Sequence, residues 1–405
     1  MTTLASPAPA LTQPIVKAKR IHSIDLLRGT VMIIMALDHV RDYFHSAAFQ
    51  FDPTDLSQTT PFLFFTRWIT HYCAPIFAFL AGASAFLNGI KKTKKELSFF
   101  LFTRGLWLVL AEITLITFGW TFNPVFPDLI LQVIWALGFS MMVLSVMVFL
   151  PVRLILITGL VLIAGHNLLD SVHATGNTPS DFAIAALHEQ HLFPGHPFTI
   201  MLGYPVLPWI GIMLTGYAFG QLYVPTYDAA KRKKWLIYMG SGAIALFIII
   251  RFINVYGDHS HWSVQKTPVY TLLSFLNTTK YPPSLLYILM TLGPAMLFLA
   301  FAEKPLNRLG EKVIVFGRVP MFFYILHIYL IHILAMVAAA TSGFKWSDMI
   351  LTGWVSMNPQ FKGYGYSLLF VYILWIAIIF AVYPVCKWYD NYKRMHREKW
   401  WLSYI

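Results

Sequence analysis

Long apolar runs recur along the chain, and clusters of charged residues or Pro/Gly breaks separate them. A run of roughly 20 apolar residues matches the length of a helix that crosses the hydrocarbon core of a bilayer. The pattern therefore predicts an all-α fold, a polytopic membrane helix bundle of about ten transmembrane helices. The ten predicted spans are 25–45, 61–89, 97–120, 129–150, 152–169, 197–223, 234–253, 282–302, 313–341 and 365–387.

The predicted organisation is one bundle with a short tail at each end. Residues 1–22 are expected to form a cytoplasmic N-terminal tail, 23–390 the transmembrane domain and 391–405 a cytoplasmic C-terminal tail. The ninth span opens with Gly317-Arg318-Val319-Pro320, so we expect it to include a short interfacial or broken piece.

Basic residues are distributed unevenly between the predicted loops. Every second loop, together with the two tails, holds twenty of the 30 Lys and Arg residues, and the opposite loops hold few. Because cytoplasmic loops carry an excess of Lys and Arg, this alternation predicts that both termini are cytoplasmic. A bacterial inner membrane is the compartment that we expect.

Composition supports the membrane interpretation and excludes other classes. The chain has 405 residues, of which 57% are hydrophobic and only 12% charged, against about 25% charged in soluble domains. The net charge is +12, but its basic residues sit in short loops, which indicates topology and contact with membrane lipids rather than nucleic-acid binding. Cys73 and Cys386 both fall in apolar spans and give no disulfide framework.

The longest predicted outward loop, about 168–196, is polar and contains four histidines but no Lys or Arg. A solvated loop is favoured over a substrate lid or a metal site. His188 and His191 are three residues apart and can share a helical face, yet no Cys or carboxylate constellation joins them. No metal is therefore expected.

The first span carries ionisable residues at both ends. Asp25 and Arg28 are three apart near its start, where an internal salt bridge is favoured over a role in a cytoplasmic donor site. Residues 38–45 contain five ionisable side chains and begin inside the span. Charge at bilayer depth is costly, so such a cluster predicts a functional site.

Helical geometry relates the side chains of this cluster to one another. At 100° per residue, Asp42 and His45 lie roughly 40° and 20° from Asp38, and His39 is three residues from Asp42. A carboxylate that orients an imidazole makes it a general base for a hydroxyl or amine, which assigns His39 or His45 that role. The competing interpretation is an interfacial helix end, which is credible for Arg41, Asp42 and Tyr43.

Other spans add candidates at comparable depth. Arg67 is expected to neutralise Asp38 or Asp42, since a buried carboxylate needs a partner. Glu112 lies near mid-membrane, which implies a partner or a water-filled cavity, and the structural and functional interpretations remain open. His327 and His332 in the ninth span favour a polar cavity through the bundle. The candidates for substrate contact or for stabilising a developing oxyanion are Arg67, His71, His327 and Glu112.

At these residues the chain resembles the heparan-alpha-glucosaminide N-acetyltransferase-like family. The resemblance rests on residues 20–29 with 37–39 of the first span, on 74–84 of the second, and on 317–318 with His327. It implies a transmembrane acyltransferase that takes an acyl group from acyl-coenzyme A on one side and delivers it to an acceptor on the other.

The resemblance also implies where the family's catalytic residues fall. In the lysosomal enzyme the acceptor is the amine of a terminal glucosamine, and an asparagine and a histidine near the first span are catalytic. His39 lies where that asparagine falls, and His45 is the nearest match for the histidine, at a shorter spacing.

Together these features predict transfer of an acyl group, most simply acetyl from acetyl-CoA, to a hydroxyl or amine acceptor at the outer side. A sugar is the expected acceptor class, and a homodimer is possible. Arg28, Arg104 and Arg318 are the candidate coenzyme-binding residues, with the lysines of 91–95 nearby. A proton-coupled transporter and a structural protein of a membrane complex are the alternatives, although no two-fold internal repeat supports a transporter.

Overall fold

The computed structural model describes residues 22–355 and 358–404. Nearly all of the predicted N-terminal tail, including Lys17, Lys19 and Arg20, lies outside the described residues. The fold is mostly helical, as predicted. The α-helices, α1 to α15 in chain order, are Ser23–Phe44, Pro61–Thr70, Cys73–Gly89, Lys94–Ala111, Thr117–Thr121, Val133–Met147, Val152–Gly165, Pro179–His188, Leu207–Phe219, Ala229–Ile253, Pro268–Leu276, Leu285–Phe301, Arg308–Arg318, Pro320–Thr341 and Leu368–Met395.

Six helical segments of the described residues are long and apolar enough to cross a membrane. The α6 and α12 helices are apolar but shorter, and α1 is not among the six because five charged residues interrupt it. The six segments are Pro61–Gly89, Lys94–Thr121, Val152–Leu169, Ala229–Ile253, Pro320–Thr341 and Leu368–Met395.

The outermost helices expose apolar side chains. Ile249 and Phe252 on α10, and Phe380 on α15, are exposed although they are large and hydrophobic. Contiguous apolar surface of this kind is unfavourable in water, whereas lipid tails cover it at no cost. The fold is thus that of an integral membrane protein.

A small sheet interrupts the helical fold, and the all-α prediction did not include it. Its strands are β1 (Asp128–Leu131), β2 (His191–Phe193) and β3 (Thr199–Leu202), in the order β1-β3-β2. The β1 strand is parallel to β3, and β2 is antiparallel to β3. Strand β1 lies at the start of the predicted span 129–150, and β3 lies at the start of the predicted span 197–223. Each strand is a short apolar stretch that precedes a helix, α6 or α9, so the hydrophobic pattern did not separate the strand from the helix.

The ninth predicted span is divided, as expected, into α13 and α14. Val319 separates them, directly before Pro320, whose ring disfavours a helical conformation at the preceding residue. The tenth span is longer than predicted, because α15 continues to Met395, past the predicted start of the C-terminal tail. The chain after α15 packs back on α4, where Trp107 donates a hydrogen bond to the Tyr404 carbonyl at 3.2 Å.

The α1 helix lies inside the bundle and contacts α2, α3, α12, α13, α14 and α15. Two glycines allow α1 and α13 to approach at backbone distance. A Cβ on Gly317 would lie 2.0 Å from the Asp25 carbonyl oxygen, and one on Gly29 would lie 2.1 Å from that of Val313. Small residues permit this close packing of membrane helices, and it fixes α1 and the side chains at its end.

Candidate functional site

A cavity of about 500 Å³ lies at the C-terminal end of α1. The end of α1, residues 48–53, α2, α3, β3, residues 280–281 and α14 form its walls, and we call it the His39 cavity. Both signs of charge are present in it. The charged side chains that line it are Asp38, Asp42, Asp52, Arg41, Arg67 and Lys280.

His39 lines this cavity and pairs with a second imidazole, that of His327, which does not itself line the cavity. His39 Nδ1 is 2.8 Å from His327 Nε2, and the two rings are stacked with centroids 5.0 Å apart. His327 Nδ1 is in turn 2.7 Å from the carbonyl oxygen of Phe323, one helical turn earlier on α14. Both imidazoles are buried.

The carbonyl group at the end of this chain fixes the tautomers of both neutral imidazoles. A carbonyl oxygen only accepts, so His327 Nδ1 carries the hydrogen and His327 Nε2 carries a lone pair. His39 Nδ1 must then donate to that lone pair, which leaves the lone pair of His39 on Nε2. His39 Nε2 has no hydrogen-bond partner among the described residues, and His39 lines the cavity. The arrangement presents a basic nitrogen to a ligand.

Aromatic side chains hold the His39 ring in place. Trp120 contacts it edge-on at 4.9 Å between centroids, and Tyr324 does so at 5.8 Å. Trp120 Nε1 donates a hydrogen bond to the Tyr324 hydroxyl at 3.2 Å, which joins the two. Trp354 stacks on Trp120 with ring centroids 5.5 Å apart, so the cavity wall beside His39 is an aromatic surface.

The structure corrects the role expected of Asp38. Its carboxylate does not hold an imidazole but lies between two guanidinium groups, 2.6 Å from Arg41 Nη2 and 2.6 Å from Arg67 Nη1. The Thr70 hydroxyl donates a hydrogen bond to the same carboxylate at 2.8 Å. The expected pairing of Arg67 with Asp38 is present. His39 instead takes its orientation from His327, far away in sequence.

Arg41, Asp42 and Tyr43 are also placed differently from an interfacial helix end. Arg41 is buried and bonds to both Asp38 and Asp42, each at 2.6 Å. Tyr43 is buried and donates to the Trp120 carbonyl at 2.6 Å. These residues face the protein because α1 is surrounded by other helices, whereas the prediction assumed a helix end at the bilayer surface.

His45 does not line the His39 cavity. The α1 helix ends at Phe44 and the backbone of His45 is extended. The helical spacing of 100° per residue therefore does not apply to the side chain of His45. His45 Nδ1 accepts a hydrogen bond from Ala47 N at 3.2 Å and caps the short 3-10 segment Ser46–Phe49. That is a structural role, and it leaves His39 as the candidate base.

His71, Glu112 and His332 do not line the His39 cavity either. The carboxylate of Glu112 accepts a hydrogen bond from Trp135 N at 2.8 Å and thereby caps the start of α6. His332 contacts the carbonyl oxygens of Gly119 and Met349 at 3.0 and 2.8 Å. His71 is buried beside Tyr287, whose hydroxyl donates to the His71 carbonyl at 2.6 Å. These contacts stabilise helix ends and loops.

Asp52 is at the exposed edge of the cavity. Desolvation by neighbouring atoms raises the pKa of Asp52, but Arg67 and two hydrogen bonds from Thr54 outweigh it and lower the pKa below its usual range. Its carboxylate is accordingly charged and satisfied locally.

A second cavity, of about 420 Å³, lies at the other end of α1, and we call it the basic cavity. Five of its lining residues are cationic and one is acidic: Arg318, Lys393, Arg394, Arg397 and Lys399 against Asp390. Trp400 lies at its wall. Of the predicted coenzyme-binding residues, Arg318 lines this cavity, and Arg28 and Arg104 lie within electrostatic range of Lys393.

Arg28 has mainly helix-packing contacts. It donates to Ser84 Oγ at 2.9 Å and to the Gly317 carbonyl at 3.1 Å, and it lies 3.5 Å from Asp25. The favoured salt bridge with Asp25 is thus present.

Several cavity residues carried no signal in the sequence. Gln132 and Lys280 line the His39 cavity, yet each stands alone in a loop. The C-terminal basic residues were interpreted as indicators of topology, although four of them share a cavity with Arg318. Within 22–355 and 358–404, no group of three or more His, Cys, Asp and Glu side chains is arranged to hold a metal ion.

The chain matches the model of one protein family. The model is that of the heparan-alpha-glucosaminide N-acetyltransferase catalytic domain, and the match covers residues 20–256, more than half of the chain. The match includes α1 and therefore His39 and Asp38, but His327, Lys280 and the basic cavity lie beyond it. No curated protein matches the chain significantly.

Proposed function

Because the chain belongs to the heparan-alpha-glucosaminide N-acetyltransferase catalytic family, we propose that it is a membrane acetyltransferase that uses acetyl-CoA. The acceptor is a hydroxyl or amine compound, most simply a sugar, that binds in the His39 cavity. The observation that carries this proposal is His39 itself, with its Nδ1 hydrogen committed to His327 and its Nε2 lone pair facing a cavity.

The donor is assigned to the basic cavity. Coenzyme A carries a pyrophosphate and a 3′-phosphate, and Arg and Lys side chains are the groups that bind phosphate oxygens. The basic cavity presents five such side chains, and the indole of Trp400 offers a surface on which an adenine can stack. The lysines of residues 91–95 do not line the cavity.

The transfer step follows from the tautomer of His39. The acceptor oxygen or nitrogen attacks the thioester carbonyl carbon while His39 Nε2 removes its proton. The tetrahedral intermediate then collapses, the carbon–sulfur bond breaks, and the coenzyme thiolate takes the proton back from Nε2. Atoms and charge balance without a cofactor other than the donor.

Arg67 is the residue to which we assign stabilisation of the oxyanion that forms on the thioester oxygen. Its Nη1 is held by Asp38 at 2.6 Å, while its Nη2 has only a long contact of 3.4 Å to the Tyr281 hydroxyl. A guanidinium that is fixed at one nitrogen and weakly engaged at the other costs little reorganisation when charge develops.

The two cavities place donor and acceptor at opposite ends of one helix. Arg28 and His39 are eleven residues apart on α1, or roughly 16 Å of helix. No described residue lines both cavities, so transfer requires a passage beside α1 to open when the donor binds. We further propose ten spans, cytoplasmic termini and a bacterial inner membrane, an arrangement in which the basic cavity faces the cytoplasm and the His39 cavity faces outward.

Ligand binding and label transfer test this proposal with the purified full-length protein. Acetyl-CoA is expected to raise the thermal unfolding temperature, whereas dephospho-CoA gives a smaller rise and acetate gives none. Acetyl label from acetyl-CoA is expected to reach a hydroxyl or amine acceptor from a panel of sugars, with release of CoA. A protein that neither binds acetyl-CoA nor releases CoA is not this enzyme, and proton flux across proteoliposomes would then indicate the transporter.

A further inference from the structure

The buried part of the His39 cavity carries one positive charge without a carboxylate. Asp38 and Asp42 are paired with Arg41 and Arg67, and the Asp52 carboxylate at the exposed edge is satisfied by Thr54. No carboxylate of the described residues forms an ion pair with Lys280, the remaining charge. An uncompensated ammonium is costly when it is buried, so this site favours a negative ligand.

Lys280 is held at the cavity wall by its neighbours. It is only 9% exposed, and its Nζ lies 5.0 Å from the Tyr281 ring centre and 5.9 Å from that of Tyr204. Cation–π contacts stabilise the ammonium partly but leave its remaining hydrogens without a charged acceptor.

A buried carboxylate fixes the loop that carries Lys280. Asp258 accepts hydrogen bonds from Thr279 N and Oγ1, each at 2.8 Å, and from Ser284 Oγ at 2.6 Å. These contacts clamp the loop just before Lys280 and again shortly after it. The lysine is therefore placed by a rigid structure rather than by a mobile loop.

Two further residues of the cavity have donors without acceptors. Gln132 is 3% exposed and its Nε2 has no hydrogen-bond partner among the described residues. Arg41 Nε and Nη1 are likewise buried without a partner. Each unsatisfied buried donor costs about 1–3 kcal/mol, and this part of the cavity wall therefore has more donors than acceptors.

We infer that the His39 cavity binds an acceptor bearing an oxyanion, a carboxylate, phosphate or sulfate group, which Lys280 recognises. Such a group accepts hydrogen bonds without donating any, and it supplies the negative charge that the buried side chains lack. The inference rests on the proposed function in one respect, because it assigns the anionic group to the molecule that accepts the acyl group. The anionic group can belong to a soluble acidic sugar or to the headgroup of a lipid.

Binding measured without acyl-CoA tests the inference independently of the chemistry. Equilibrium dialysis of the detergent-solubilised full chain compares radiolabelled glucuronate with radiolabelled glucose, which differ by one carboxylate. The wild type is expected to bind glucuronate about tenfold to a hundredfold more tightly, as expected for a charge-assisted hydrogen bond. Lys280→Met and Lys280→Gln are expected to remove this preference, and Lys280→Arg is expected to retain it.

Lys266→Met is the matched control, because Lys266 is exposed, lies over Tyr270 and does not line the cavity. It is expected to leave the preference unchanged. Competition against labelled glucuronate identifies the source of the anion. Displacement by glucosamine 6-phosphate supports a soluble acid, and displacement by dioctanoyl phosphatidic acid but not dioctanoylglycerol supports a lipid headgroup.

Three results would overturn the inference. They are equal affinity of the wild type for glucuronate and glucose, a preference that survives in folded Lys280→Met or Lys280→Gln, and no binding of any of the three anionic probes. Because these measurements need no acyl transfer, a protein that prefers the anionic probes but does not release CoA from acetyl-CoA would refute the proposed function alone.

Discussion

The His39 cavity and the basic cavity lie at opposite ends of α1 and differ in how their charges are held. In the His39 cavity, Asp38 is fixed between Arg41 and Arg67 at 2.6 Å from each. In the basic cavity, five cationic side chains face a single carboxylate. The first arrangement is rigid and nearly neutral, as a site for chemistry requires. The second is an excess of one charge, as a site for phosphate groups requires.

The comparison assigns different consequences to mutations in the two cavities. Substitutions in the His39 cavity are expected to change the chemical step or the stability of the fold. Substitutions in the basic cavity are expected to change the affinity for the donor and leave the fold intact. Both cavities contain arginines, so the distinction comes from their partners and not from residue type.

The largest expected effect is that of His39→Ala. General base catalysis contributes about 10²–10⁴-fold to a rate, so the rate of CoA release in the presence of acceptor is expected to fall by at least about 100-fold. His45→Ala, which removes a cap outside the cavity, is the matched control and is expected to retain most of the activity. Full activity in His39→Ala together with loss in His45→Ala would reverse the assignment of the base.

The next effect is on stability. Asp38→Asn leaves two buried guanidinium groups without their shared carboxylate, and breaking such a pair costs about 3–5 kcal/mol. The free energy of unfolding, measured by denaturant titration in detergent, is expected to fall by that amount. Asp52→Asn, at the exposed edge, is expected to change the free energy of unfolding by less than about 0.5 kcal/mol. Equal effects of both substitutions would contradict the structural distinction between the two carboxylates.

Donor affinity is the third test. Lys393→Gln combined with Arg397→Gln is expected to raise the KM for acetyl-CoA by about tenfold to a hundredfold, since each removes a charged partner of phosphate. The kcat is expected to stay within about threefold, because neither residue lies at the His39 cavity. Lys95→Gln is the control, as Lys95 is exposed and outside the basic cavity. A raised KM in Lys95→Gln alone would place the donor elsewhere.

The smallest effect concerns the loop beside the His39 cavity. Partial burial raises the pKa of Asp170, but hydrogen bonds with His188 and Asn167 outweigh it and lower the pKa below its usual range. A lowered carboxyl pKa contributes stability above the unfolded pKa, about 3.9, that is lost as the pH falls through the folded value.

Asp170→Asn is therefore expected to weaken the loop at pH 7 and to have less effect near pH 3. Solvent screening keeps the loss of loop stability in Asp170→Asn at pH 7 below about 1 kcal/mol. Hydrogen exchange of the α8 amides at pH 7 and pH 3, in the wild type and the variant, measures this loss. Equal loss of protection at both values would indicate that packing, and not the charge of Asp170, holds the loop.

The position of the ionisable cluster at the end of α1 was predictable from the sequence of that helix alone. Charged residues in an apolar helix are rare enough that Asp38 and His39 were singled out without any structure, and charge balance predicted that Arg67 neutralises Asp38 or Asp42. The helical wheel placed His45 on the face of Asp38 and Asp42, but it cannot show where a helix ends, and α1 ends at Phe44. Arg41 and Tyr43 were wrong as interface anchors because burial of α1 depends on the helices around it.

Contacts between distant parts of the chain were not predictable. His39 and His327 are 288 residues apart, and no spacing rule relates them. Gln132 and Lys280 are isolated polar residues whose importance appears only when loops meet at the cavity. The basic residues after α15 were visible, but their pattern predicts cytoplasmic topology equally well, and only the fold brings them to Arg318.

Transfer across a membrane is the central claim, and a sided assay in proteoliposomes tests it most directly. Glucosamine and glucosamine 6-phosphate are trapped inside, and acetyl-labelled acetyl-CoA, which does not cross the bilayer, is supplied outside. We expect acetyl label in the trapped acceptors and released CoA outside. With His39→Ala we expect neither labelled acceptor nor released CoA. Label that appears only in acceptor added outside with acetyl-CoA would contradict the assignment of donor and acceptor to opposite ends of α1.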